Sequence, residues 1–169
     1  MLRRLHQLAR DLRGVAAVEF ALYSSLFFTV VMGGLDFGEY HIARSEIDKA
    51  VGAASVSAFE TRDNVDFGGM QAYVRALAED NALTVTTSCN GVVGACTNSV
   101  SRTCSCLKTD GTYVATTCGD PCTATGTTTG STAGYYLTIR ASRPFTPMLL
   151  PEGALSGKTI AREATTRLD

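Results

Sequence analysis

The chain has 169 residues, a formal net charge of −1 and six cysteines. That length suits one domain of about 100–150 residues plus an extra segment, and the near-zero charge argues against a nucleic-acid partner, which needs a basic surface. The charge is unevenly placed: residues 1–14 carry Arg3, Arg4, Arg10 and Arg13 against one acid, Asp11.

Residues 15–35, VAAVEFALYSSLFFTVVMGGL, contain one charge, Glu19. As a helix this run spans about 31 Å, close to the roughly 30 Å of a bilayer's hydrocarbon core. Its basic flank precedes it, and Asp36 and Glu39 follow it. The positive-inside rule then puts 1–14 in the cytoplasm as a basic leader and the rest of the chain outside the inner membrane, as a single-pass protein. No proline interrupts residues 36–58, and Phe37, Ile42, Ile47, Val51 and Ala54 recur on one rough helical face. The helix is therefore expected to run on outside the membrane over 36–62, ending near Phe59–Asp63. Small residues (Ala50, Gly52, Ala53, Ala54, Ser55, Ser57, Ala58) and the pair Gly34-x-x-x-Gly38 would let another helix approach closely.

Glu19 is the informative residue of the span. A carboxylate in hydrocarbon costs about 2.5–3.5 kcal/mol on insertion scales, so such a group usually has a task. The run Arg13-Gly14-Val15-Ala16-Ala17-Val18-Glu19-Phe20 resembles a prepilin peptidase site: basic leader, glycine, four small or apolar residues, glutamate, aromatic. The stretch from Arg13 to Leu22, then Gly34 to Gly38, then Ala43 to Ala50 is similar to the start of TadE-like proteins, pseudopilin-like components of tight-adherence (Tad, or Flp) pilus systems. TadF-like and TadG-like relatives share this opening, and TadG-like proteins are generally much longer. The resemblance implies cleavage after Gly14 by a prepilin peptidase, with Val15 as the new N-terminus and Glu19 at mature position five. There Glu19 would pair with the terminal ammonium of a neighbouring subunit. It also implies a pilin-like fold, and other pilins or pseudopilins as partners of the N-terminal helix through Glu19, Phe20, Gly34 and Gly38. A competing reading, a secretory signal peptide cut near Val31-Met32-Gly33, requires an apolar run longer than the usual 7–15 residues and leaves Glu19 without a purpose.

Residues 63–169 read as a small α+β domain. Met70, Tyr73, Val74 and Leu77 predict a short packing helix over 66–80. Leu83–Ser88, Tyr135–Arg143 and Lys158–Leu168 alternate as strands of an antiparallel sheet, with Pro144 interrupting the second and Ile160 and Ala164 sharing a face of the last. The segment between the last two carries Pro144, Pro147, Pro151 and Gly153 and is a connection. Resembling relatives also carry a Pro-containing loop before a final strand.

Residues 89–133 are rich in Thr, Gly, Ser and Cys and too poor in large aliphatics to order themselves alone. Their six cysteines, Cys89, Cys96, Cys104, Cys106, Cys118 and Cys122, point to disulfides and an oxidising compartment, the periplasm or cell exterior. Asp110-Gly111 is a turn signal. A three-residue loop at Asp110–Thr112 would set Cys104 opposite Cys118, leaving Cys106 for Cys122 and Cys89 for Cys96, one of 15 possible pairings. A zinc site from Cys104-x-Cys106 and Cys118-x-x-x-Cys122 departs from the usual C-x2-4-C knuckle.

No catalytic or cofactor motif is present: no H-E-x-x-H, G-x-S-x-G, P-loop or G-x-G-x-x-G. The two histidines are His6, in the leader, and His41, just past the span. Asp63, Asp66, Glu79, Asp80 and Asp120 read as solvated surface. The sequence thus points away from an enzyme, a metal or a cofactor. The leading expectation is a minor pseudopilin or assembly component; the alternative is a membrane-anchored module presenting a disulfide-stapled loop to a surface, in cell adhesion.

Overall fold

A computed structural model describes residues 12–150 and 153–169; the leader residues Arg3, Arg4, His6, Arg10 and Asp11 lie outside the described residues. Among the described residues, two helices and six strands follow in chain order: α1 (Leu12–Glu60), α2 (Met70–Leu77), β1 (Thr84–Cys89), β2 (Val92–Val93), β3 (Cys104–Leu107), β4 (Tyr113–Thr116), β5 (Tyr136–Pro144) and β6 (Thr159–Arg167). The chain is α+β, as expected, and divides into two compact units. One holds the helix up to Tyr40 together with Thr146–Ser156; the other holds His41–Phe145 and Gly157–Asp169.

The unbroken helix α1 follows from a sequence without proline from Leu12 to Glu60. Two polar side chains in its apolar part turn back onto the helix itself. The hydroxyl of Ser25 donates to the carbonyl of Leu22 at 2.9 Å, and that of Thr29 to Ser25 at 2.8 Å, so neither needs water.

In the second unit, α1 buries Ala43, Ile47, Ala50, Val51, Ala54 and Ala58. These positions recur every three or four residues on one face. Three of the small residues read as a partner-helix surface, Ala50, Ala54 and Ala58, are thus already covered inside the chain.

The helix expected over 66–80 is shorter, Met70–Leu77. The Asp66 carboxylate accepts the Gly69 N–H at 2.9 Å, forming a turn where a first helical turn would be. The Gly68-Gly69 pair that follows is a poor helix former. Of the four expected packing residues only Met70 and Val74 are buried; Tyr73 and Leu77 are exposed. The helix closes with the Asp80 N–H on the Arg75 carbonyl and the Glu79 N–H on the Ala76 carbonyl, with Glu79 at φ 50°. This is a Schellman closure with a non-glycine residue in the left-handed position.

The main sheet is antiparallel, in the order β2-β1-β5-β6. Cross-strand partners Val85 and Ala141, Thr87 and Ile139, Cys89 and Leu137 are all buried on one face. Ile160 and Ala164 of β6 extend that face, Ile160 buried and Ala164 half-buried. The opposite face carries Thr84, Thr86, Thr138, Arg140, Glu163 and Thr165, so one face packs and the other is polar. Pro144 does not interrupt β5: it is its last residue, opposite Thr159, where a missing N–H costs the ladder least.

The Cys-rich insert orders around three disulfides, Cys89–Cys96, Cys104–Cys118 and Cys106–Cys122, the set named above. The hairpin geometry is different from the expectation. Lys108 N–H donates to Thr112 and Gly111 N–H to Lys108, with Gly111 at φ 81°. The three-residue loop is therefore Thr109–Gly111, not Asp110–Thr112, because such a loop places its left-handed residue last. Each cross-strand partner moves by two residues: Cys104 faces Thr116, and its disulfide reaches two residues beyond.

Candidate functional site

The first unit carries the features on which a membrane or assembly role would depend. From Val15 to Leu35 the helix exposes Val18, Phe20, Leu22, Phe27 and Phe28, among others. One stretch of α1 is long and apolar enough to cross a membrane, and none of that apolar window is buried. Such a surface cannot face water at this size without consequence.

Gly14 and Val15 lie in the first turn of α1, which begins at Leu12. Glu19 is exposed one turn further on, and among the described residues no hydrogen bond or ion pair engages it. Phe20 beside it is 75% exposed. A side chain at Gly34 or Gly38 would meet nothing within 4 Å, so both leave open space on the helix. Gly33 differs: a Cβ there would sit 3.8 Å from the Leu150 side chain.

Asp36, read from the sequence only as an acidic flank, is the buried acidic residue among the described residues of this unit, 3% exposed. Its Oδ1 accepts the backbone N–H groups of Met148 at 3.1 Å and Leu149 at 3.0 Å, and its Oδ2 accepts that of Leu150 at 2.8 Å. Three converging amides satisfy a carboxylate that would otherwise be costly to bury. They also hold the Pro-containing connection against the helix one residue past the apolar run. A small cavity of about 20 Å³ lies beside this contact, lined by Gly33, Phe37, Pro147 and Leu150 among others. The local sequence signal is thin: an acid directly after an apolar run, and a distant segment whose prolines prevent its amides from joining a helix or ladder.

Residues 14–55 match the family model described as TadE, TadE-like protein. That segment is TadE-like. The matched segment is about a quarter of its length and covers Gly14, Val15, Glu19, Phe20, Gly34, Asp36 and Gly38. The match supports a part for the chain in Tad pilus assembly. No curated protein and no solved structure matches the chain.

The cysteines form a separate group in the second unit, outside the matched segment. All six are joined as disulfides, so the thiolates that a zinc site would require are not available. Two of the carboxylates read as solvated surface have local structural tasks. Asp80 pairs with Arg143 at 2.9 Å and accepts the Ala82 N–H, and Asp66 holds the turn before α2.

Proposed function

We propose that this TadE-like chain is a minor pseudopilin or assembly component of a Tad-type pilus, anchored by α1 in the bacterial inner membrane. The basic leader lies in the cytoplasm and the disulfide-bonded domain in the periplasm. A prepilin peptidase cuts after Gly14, and Val15 becomes the mature N-terminus. Glu19, exposed on the helix four residues further on, pairs in the membrane with the Val15 ammonium of a neighbouring pilin or pseudopilin, compensating both charges. Gly34 and Gly38, with open space where a Cβ would stand, let that neighbour's helix approach. The protein acts by packing, not by catalysis.

The observation that carries this reading is an exposed carboxylate inside an exposed apolar helix that matches the TadE-like model. Intact-mass measurement of the membrane-extracted protein tests it: the chain should lack residues 1–14 in cells with the peptidase and retain them in cells without it. A mature chain starting at Met1, or after Gly33, would sink the proposal. Glu19→Ala should insert at least as well as wild type and assemble poorly; undiminished assembly removes the pairing role.

A second reading, a module that binds a surface through its stapled insert, is favoured by the apolar tips of that insert, where Val92, Val93 and Val100 are exposed. Cys89 and Leu137 are cross-strand partners, so a tight turn can replace the segment between them. That replacement should abolish adhesion while pili still assemble if the insert is the binding element.

A further inference from the structure

We propose that the segment from Thr146 to Leu150 is a second membrane contact, held by Asp36 at the level where the helix leaves hydrocarbon, so that Met148 and Leu149 enter the bilayer interface. The proposal rests on the reading of α1 as a membrane span.

The placement comes first. The apolar run ends at Leu35, and the next residue grips the connection through three amides. Met148 is 75% exposed and Leu149 38%, in the same compact unit as Val31, Met32 and Leu35, which are exposed too. These residues extend an apolar surface that lipid already covers on the helix.

The backbone chemistry comes second. A non-helical segment is kept out of an apolar medium by its unpaired N–H and C=O groups, and the N–H groups are the half that a carboxylate can satisfy. Proline has none, and Pro147 and Pro151 bracket Met148, Leu149 and Leu150. The three amides between them are the ones that Asp36 accepts. From 147 to 151 no backbone donor requires water. A carboxylate that satisfies three consecutive amides of an exposed apolar coil makes that coil compatible with the boundary of a bilayer.

The partner is the apolar boundary of the bilayer, not its charge. No lysine or arginine lies between Arg143 and Lys158, so contact gains nothing from anionic headgroups, unlike a basic amphipathic element.

The chain has no tryptophan, so one introduced residue reports alone. Full-length Met148→Trp would be reconstituted in phosphatidylcholine vesicles containing lipids brominated at defined depths, with Phe27→Trp as the reporter for the span. Absence of free thiols would confirm that the disulfides are intact. The reporter at 148 should emit blue-shifted, be quenched by bromines near the headgroup, resist aqueous acrylamide, and be unchanged when phosphatidylglycerol replaces part of the phosphatidylcholine. Adding Asp36→Ala should abolish the bromolipid quenching at 148 and leave that at 27. Acrylamide quenching at 148 without bromolipid quenching, while 27 is quenched at depth, overturns the contact and leaves the span standing. Loss of quenching at 27 overturns the span. A blue shift at 148 that develops only as protein is concentrated in the vesicle assigns the surface to a second copy, and quenching that survives Asp36→Ala removes Asp36 from the proposal.

Discussion

Asn90 and Tyr136 exchange two hydrogen bonds. The Asn90 N–H donates to the Tyr136 carbonyl and the Tyr136 N–H to Asn90 Oδ1, each at 2.9 Å. The Asn90 amide also donates to the Thr103 carbonyl at 2.8 Å. The residue stands at φ 48° and Gly91 at φ 81°, the left-handed pair of a two-residue hairpin turn between Cys89 and Val92. One side chain thus joins the β1–β2 turn to β5 and to the approach to β3. Asn90→Ala should destabilise the protein by about 1–3 kcal/mol, through a lost acceptor for a half-buried amide and a strained left-handed alanine. Asn90→Asp keeps the acceptor and should cost less. Urea unfolding of the detergent-solubilised protein checks the order.

Much of this arrangement was legible from local pattern, and the failures have identifiable causes. The length of α1 follows from an apolar run and an absence of proline; β1, β5 and β6 follow from alternation, which a one-sided sheet preserves. Asn90-Gly91 is a strong hairpin dipeptide, but it sits in a stretch whose composition reads as loop. Asp110-Gly111 located the second hairpin to within one residue, and one residue suffices to move Cys104 from Cys118 to Thr116 in the ladder. The role of Asp36 was not legible. Its partners are 112 to 114 residues away, in a coil without periodicity, and the contact uses their amides rather than their side chains.

The disulfides should act locally. Cys106 and Cys122 close a separation of 16 residues, for which chain entropy gives about 3 kcal/mol. Replacing both by alanine should release residues 119–133, while Cys104–Cys118 still closes the β3–β4 hairpin. The β1–β5–β6 ladder has its own register and does not pass through the insert. Hydrogen exchange followed by mass spectrometry should show protection lost over 119–133 and kept over 84–89 and 137–142. Equal loss in both would mean that the staple supports the main sheet.

Asp110 provides a pH dependence with a definite sign. The Thr112 hydroxyl donates to its Oδ1 at 2.6 Å and the Thr112 N–H at 2.9 Å. Together they hold the carboxyl below its ordinary value of 3.8, the hydroxyl contributing most. A pKa depressed by folding contributes stability that is present above 3.8 and lost as pH falls through the lower folded value. Thr112→Val should move the Asp110 titration back up toward 3.8 and remove that part of the acid dependence. A carboxyl-carbon NMR titration of the two proteins decides it; identical curves would show that the hydroxyl bond does not form in solution.

Glu79 offers a substitution expected to stabilise. It occupies the left-handed position after α2, at φ 50°, while the next amide returns to the Arg75 carbonyl. That conformation costs an L-residue about 1–2 kcal/mol, and glycine carries no such penalty. Glycine's greater freedom in the unfolded chain takes back part of the gain, so Glu79→Gly should raise stability by about 0.5–1 kcal/mol. The contacts at this end of the helix make the comparison clean: Asp80, not Glu79, pairs with Arg143. Asp80→Ala should act in the opposite direction, since it leaves Arg143 without its carboxylate and the Ala82 N–H without its acceptor. Thermal unfolding of the two variants beside wild type separates the backbone term from the ion pair. If Glu79→Gly were destabilising, the glutamate side chain would hold the loop by a contact worth more than the strain, and the closure of α2 would depend on that side chain rather than on its backbone.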